Sequence, residues 1–298
     1  MNTVISLHQP ANDYQQISTR FDKEFGVMWS IMDATPRPCF NKRCLQDLLK
    51  HHTFLQDSDG KIVSENTIEQ VKYLVLASKM EGVFNLGGDL LVFKELILVG
   101  DKDHLAEYAK LCIDNVWTFY NMQAPVTTIS LVQGQAMGGG FESALAAHVM
   151  VAEKSAVMGL PEVLFNLFPG MGALSLLSRK IGMAAAEKMV RSGKIYSGEE
   201  LYQMGVVDVL AEDGQGEYAL QHWIKKNHRS LNSFQAINRA KQRVNPLTYQ
   251  ELNDIVEVWV DAALRLDERN LKVMERLVRA QDSKMRANVL PMETRNIA

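Results

Sequence analysis

The chain has 298 residues, 47% of them hydrophobic, a length that suits one large domain or two small ones around a sizeable core. A net charge of -3 gives no global argument for nucleic acid or an anionic membrane surface. Cys39, Cys44 and Cys112 have no metal-ligand spacing and are too few for a disulfide framework, so they read as reduced thiols in a cytoplasmic protein. No N-terminal apolar h-region and no apolar run of about 18 residues occurs, so neither a signal peptide nor a membrane span is expected.

Met1 to about Arg20 reads as a weakly structured arm, and Phe25 to Met32 as a strand followed by turn chemistry at Asp33, Pro36 and Pro38. Asn41 can cap a helix that carries Leu45, Leu48 and Leu49 on one face, and Asp57-Ser58-Asp59-Gly60 ends it. Tyr73 to Ala77 is an almost wholly apolar run, as a strand buried on both faces would be. A glycine loop at Gly87 opens a helical pattern through Leu90, Leu91, Phe93, Lys94 and Ile97. A longer helix runs from Asp101 to about Gln123 and stops at Pro125. Val126 to Val132 is the next strand. The triple glycine Gly138-Gly139-Gly140 leads into helix formers from Glu142 to Ala147, and His148 to Ala152 is again strand-like.

Gly170 and Gly172 border a helix through Leu174, Leu177 and Ile181. Further helices are expected at Ala184 to Arg191, Ser197 to Met204, Tyr218 to Asn227 and Phe234 to Val244. A long helical stretch from about Tyr249 to Ala280 breaks near Leu266-Asp267. Strands and helices alternate to about Leu210 and helices dominate afterwards, which predicts an α/β core with a C-terminal helical region. The boundaries read as an arm at 1–20, a core at 21–215, a helical region at 216–282 and a tail at 283–298. From Lys225 onward there are 14 Lys and Arg against 9 Asp and Glu, whereas the remainder has 18 against 26. Solvated helix faces explain most of that bias; docking of an acidic partner is the other reading.

Three short segments carry chemistry. Phe84-Asn85-Leu86-Gly87-Gly88-Asp89 and Gly138-Gly139-Gly140-Phe141-Glu142 each follow a strand and enter a helix. Met158-Gly159-Leu160-Pro161-Glu162 comes before Phe168-Pro169-Gly170-Met171-Gly172. Glycine lets backbone N–H groups approach a ligand, and the start of a helix adds the positive end of a dipole. Glu142 and Glu162 form a carboxylate pair able to share acid and base work. Each piece alone has a plain reading: a tight turn, an Asp89 helix cap, a glutamate complementing a helix dipole. A paired-carboxylate glycosidase is disfavoured because Leu164, Phe165, Phe168 and Met171, not polar groups, surround the pair in sequence.

Together, in this order and spacing from about Tyr73 to Asp208, the segments resemble the active site of the crotonase (enoyl-CoA hydratase/isomerase) superfamily. Gly159 to Gly172, Ile255 to Asp261 and Arg276 to Gln281 resemble most closely its diffusible signal factor synthase branch. The resemblance implies an α/β spiral of repeated strand-strand-helix units capped by C-terminal helices, assembled as a trimer or a dimer of trimers. It implies Glu142 and Glu162 as catalytic residues and the Leu86 and Gly139 N–H groups as an oxyanion hole. Gly87, Gly138, Met171, Leu174, Trp259 and Leu277 would bind substrate, with no metal and no cofactor; core packing is the plain reading of Met171, Leu174, Trp259 and Leu277.

The branch reaction is dehydration of a 3-hydroxyacyl chain on acyl carrier protein, then thioester hydrolysis to a free cis-2-unsaturated acid. Lys225, Lys226, Arg229, Arg239, Lys241 and Arg243 are candidates to steer the acidic carrier near the tunnel mouth, a solvated helix face being the plain reading of each, and a signalling sensor protein is carried as a further partner. The alternatives are an enoyl-CoA hydratase or isomerase of fatty-acid degradation, with acyl-CoA as donor, and a non-catalytic signalling scaffold. One departure weighs against CoA: Arg37-Pro38-Cys39-Phe40-Asn41-Lys42 replaces the usual Asn-Ala-Leu pattern that helps hold it.

Overall fold

The structure, a computed structural model, describes residues 14–289, with side chains to residue 279. Residues 1–13 of the expected arm and 290–298 of the expected tail lie outside the described residues. Two strands begin the fold: β1 (Ile17–Asp22) lies antiparallel to β2 (Val27–Met32). Helix α1 (Lys42–Asp57) follows, with the Asn41 side chain accepting the Cys44 N–H at 2.9 Å. A hairpin of β3 (Lys61–Ser64) and β4 (Thr67–Gln70) comes next; its turn residues Glu65 and Asn66 both have positive φ.

Three repeating units then build the core. The first is β5 (Tyr73–Ser78) and β6 (Val83–Asn85), followed by α2 (Leu90–Val99) and α3 (Lys102–Tyr120). The second is β7 (Thr127–Val132), β8 (Gln135–Met137) and α4 (Gly139–Leu145). The third is β9 (Val149–Glu153) and β10 (Val157–Gly159), a 3-10 turn at Pro161–Phe165, then α5 (Ala173–Ile181) and α6 (Met183–Ser192). In each unit the first strand joins one sheet and the second strand another. The larger sheet has the order β1-β2-β5-β7-β9-β12, with β12 at Val209–Ala211, and is parallel from β2 to β12. The smaller has the order β11-β10-β8-β6, with β11 at Ile195–Ser197 and α7 at Gly198–Gln203 between it and β12. This is the expected strand-strand-helix spiral.

The C-terminal helices are α8 (Gly216–Asn227), α9 (Leu231–Val244), α10 (Tyr249–Ala263) and α11 (Glu268–Val289). The period-two alternation of β5 explains where they pack. Tyr73, Val75 and Ala77 meet Leu220 and Ile224 of α8 on one face. Leu74 and Leu76 enter the main core on the other, with Trp259 and Val260 of α10 and Met274 of α11. The helical region thus shares the core of the spiral.

Two expectations shift at the ends of the chain. The arm stops short of residue 20, because Ile17–Asp22 pairs along the whole of β2. The tail starts later than residue 283, because α11 continues to Val289. Among the described residues, no helix is long and apolar enough to cross a membrane.

Candidate active site

Glu142 sits in the first turn of α4, a helix whose N-terminal side is opened by Gly138 at φ 51. The side chain is 1% exposed. Its Oε1 accepts two backbone N–H groups, from Met171 and Ala173, each at 2.8 Å. Those donors come from the bend at Gly170 and Gly172 that starts α5, so the third unit of the spiral holds the carboxylate of the second. Glu162 follows Pro161 at the start of the 3-10 turn. A Cβ on Gly138 would lie 2.3 Å from Glu162 Oε1, so only glycine leaves room for the carboxylate there. Glu162 Oε2 is buried, with no hydrogen-bond partner among the described residues.

Both carboxylates open on one cavity of about 210 Å³. Burial and then the neighbouring Glu162 charge push the Glu142 carboxyl well above the usual carboxylate range, against the pull of its two N–H bonds. Burial pushes the Glu162 carboxyl up as well. Two carboxyls in one apolar site cannot both ionise freely, so the pair retains a proton to higher pH than a free glutamate.

The backbone donors differ from the sequence expectation. Leu86 N–H does not face the cavity as a donor; it donates to Pro38 O at 2.8 Å. Gly87 N–H donates to Asn85 Oδ1 at 2.7 Å, and Asp89 N–H to the Tyr108 hydroxyl at 3.1 Å. Gly88 N–H is the member of this loop without an acceptor among the described residues, and Gly88 lines the cavity. Gly139 N–H is the first of α4 and has no partner inside the helix. A Cβ on Gly139 would lie 3.5 Å from Gly88 N, which puts the two donors side by side. The two N–H groups placed to serve as an oxyanion hole are therefore those of Gly88 and Gly139, while Leu86 lines the cavity with its N–H already occupied. The sequence hid this because the segment that occupies Leu86 N–H lies 48 residues upstream.

Of the expected substrate-binding residues, Gly87, Gly138, Met171, Trp259 and Leu277 line the cavity. Leu174 does not: its place on α5 turns it to the edge of the main core, where it is half-buried. Sequence reasoning missed Phe93, Ala109 and Cys112, which also line the cavity. Phe93 belongs to the helical pattern already visible after Gly87, and its ring lies 5.1 Å from that of Trp259. Cys112, read from the sequence only as a reduced thiol, is 2% exposed.

Asp89 is the N-cap of α2, accepting Leu91 N–H, and also pairs with Arg37 at 2.8 Å. The basic candidates Lys225, Lys226, Arg229, Arg239, Lys241 and Arg243 do not border the cavity. They belong to α8, α9 and the turn between them, which pack on the opposite face of the large sheet. Helix charge in the sequence carries no sign of which sheet face the helix covers. His148 is hydrogen-bonded within the fold, its Nδ1 to Thr128 N–H at 3.1 Å.

A spiral of strand-strand-helix units with a buried and a half-buried glutamate beside two neighbouring N–H groups defines a crotonase-type architecture. The enoyl-CoA hydratase/isomerase family model matches residues 63–285, about three quarters of the chain, and the chain belongs to that family. It is 30% identical over 201 residues to methylglutaconyl-CoA hydratase 1, mitochondrial, of Pyricularia oryzae, covering 67% of this chain and 50% of that protein. The chain spans about half the length of several curated relatives it matches, and less of others. Among solved structures it shares its fold with Pseudomonas aeruginosa DspI at a TM-score of 0.67 and 22% identity, covering 84% of this chain and 96% of that one. It also shares its fold with human mitochondrial delta3-delta2-enoyl-CoA isomerase at a TM-score of 0.72 and 18% identity, covering 91% and 99%.

Proposed function

We propose that the protein is a diffusible signal factor synthase-like enzyme. It dehydrates a 3-hydroxyacyl thioester on acyl carrier protein and hydrolyses the resulting 2-enoyl thioester to a free cis-2-unsaturated acid for quorum sensing. The observation that carries this reading is the carboxylate pair, Glu142 and Glu162, facing one apolar cavity beside the Gly88 and Gly139 N–H groups.

The thioester carbonyl oxygen accepts both N–H groups, which stabilise the enolate as it forms. Glu162, whose Oε2 has no protein partner, removes the α proton. Glu142 in its protonated form donates to the 3-hydroxyl, which leaves as water. The raised carboxyl affinities for protons suit this division, because one acid and one base coexist near neutral pH. In the second step a glutamate deprotonates water, which attacks the same carbonyl. The tetrahedral oxyanion occupies the same hole, and the thiol departs with a proton.

Two observations support a carrier-borne long chain over a short CoA ester. The stretches Gly159 to Gly172 and Ile255 to Asp261 resemble the synthase branch, and Arg37 to Phe40, where the family helps hold CoA, is tied to the Leu86–Gly87 backbone. A homo-oligomer built on trimers accompanies this reading. The second reading, an enoyl-CoA hydratase, draws on the curated relative's name. Incubation with 3-hydroxydodecanoyl-carrier protein and 3-hydroxydodecanoyl-CoA, with products read by mass spectrometry, separates them. Release of free 2-enoic acid from the carrier substrate is expected. Reversible dehydration of the CoA ester without cleavage supports the second reading, and no turnover of either supports a non-catalytic scaffold.

A further inference from the structure

The loop that presents Gly88 is held from an unexpected direction. The Tyr108 hydroxyl, on α3, accepts Asp89 N–H at 3.1 Å and donates to Phe40 O. Phe40 N–H in turn donates to Gly87 O at 2.7 Å, and Phe40 and Gly88 pair as a parallel bridge. One phenol oxygen therefore closes a ring of hydrogen bonds around Gly88, joining the residue after it to the Phe40 backbone beside it. Tyr108 is 5% exposed, and its ring stands edge-on to Phe93 at 5.0 Å. Phe93 covers the other side of Gly88, where a Cβ would lie 2.7 Å from its ring.

The consequence is orientational. Gly88 N–H is rigid with Gly87 O, which Phe40 N–H holds, and Tyr108 anchors that arrangement from behind through Phe40 O and Asp89 N–H. Oxyanion stabilisation depends on a donor aimed in advance at the developing charge. We propose that Tyr108 is a positioning residue that aims Gly88 N–H at the thioester carbonyl oxygen. It touches no reacting atom and acts only through the loop. The assignment rests on the two-donor hole described above.

The test uses Tyr108→Phe, which keeps the ring and its packing and deletes the hydroxyl. Loss of a whole oxyanion donor costs about 10²–10³ in kcat, so a misaimed donor should cost at least about tenfold. On the 3-hydroxydodecanoyl carrier substrate, kcat should fall by that factor while KM changes by less than about threefold. A direct readout is the absorption of bound 4-(dimethylamino)cinnamoyl-pantetheine, which moves to longer wavelength when its carbonyl is polarised. Wild-type protein should give a clear shift and Tyr108→Phe a smaller one at saturating ligand, with melting followed in parallel so that only folded protein is compared. Site-specific 3-fluorotyrosine at position 108 retains both hydrogen bonds and should restore the shift. Equal shifts in wild type and Tyr108→Phe overturn the role of Tyr108. No shift in wild type overturns the oxyanion hole itself, a separate failure.

Discussion

Glu142→Gln separates chemistry from stability. The glutamine keeps Oε1 as an acceptor for the Met171 and Ala173 N–H groups, both at 2.8 Å, so the fold around α4 should be retained. It can neither give nor take a proton, and dehydration should fall at least about a hundredfold. Stability should move the other way as pH rises. The Glu142 carboxyl is raised by burial and by Glu162, so the native state holds the proton after an unfolded chain, near pH 4.3, has lost it. Native protein then binds more protons than unfolded protein, and stability falls with increasing pH until the native carboxyl also ionises. Each unit of raised affinity corresponds to about 1.4 kcal/mol. Glu142→Gln lacks this loss. Its stability relative to wild type should therefore improve by at least about 1.4 kcal/mol between pH 4 and pH 8, measured by urea unfolding at both. Parallel pH dependence in the two proteins would refute the claim that a buried, proton-retaining glutamate sits at position 142.

Three further outcomes are expected. Gly138→Ala puts a methyl 2.3 Å from Glu162 Oε1 at a residue with φ 51. Activity should drop at least about a hundredfold, as for lost acid–base catalysis, with circular dichroism unchanged; near-wild-type turnover would mean that Glu162 is free to move. Trp259→Ala removes an indole packed on Gly170 and Phe93, which should cost about 3–5 kcal/mol of stability. It should also change kcat/KM on a twelve-carbon substrate more than on a four-carbon one, whereas a uniform loss that follows unfolding leaves Trp259 as core alone. Light scattering should report a trimer or a multiple of it, and a monomer contradicts the assembly proposed.

The elements legible in the sequence were those with strong local signals. Asn41 capped its helix, Asp89 capped α2, and the apolar run at Tyr73 was a strand buried on both faces. The two glutamates stood out because glycines surround them at fixed spacing. Strand β1 was lost in the arm because its run, Ile-Ser-Thr-Arg-Phe-Asp, is largely polar and carries little apolar alternation of its own. Strand β8 spans only Gln135–Met137, too short for any period to show. The hairpin of β3 and β4 turns on Glu65-Asn66, without the glycine that marks such turns. The choice between Leu86 and Gly88 depended on Pro38, Asn85 and Tyr108 as hydrogen-bond partners, a matter of tertiary contact. Likewise, the basic residues of α8 and α9 lie away from the cavity because Leu220 and Ile224 of α8, with Leu231 and Phe234 of α9, pack on the far face of the large sheet.

In the proposed reaction one pair of glutamates, Glu142 and Glu162, performs both elimination and thioester cleavage. Single-turnover reaction of 3-hydroxydodecanoyl-carrier protein, with products followed by mass spectrometry and the double bond read from its vinyl proton coupling, tests it most directly. Wild type should yield a free cis-2-enoic acid and released carrier thiol, and Glu162→Gln neither. Accumulation of an intact enoyl-carrier thioester by wild type, or free acid formed at the wild-type rate by Glu162→Gln, would contradict it.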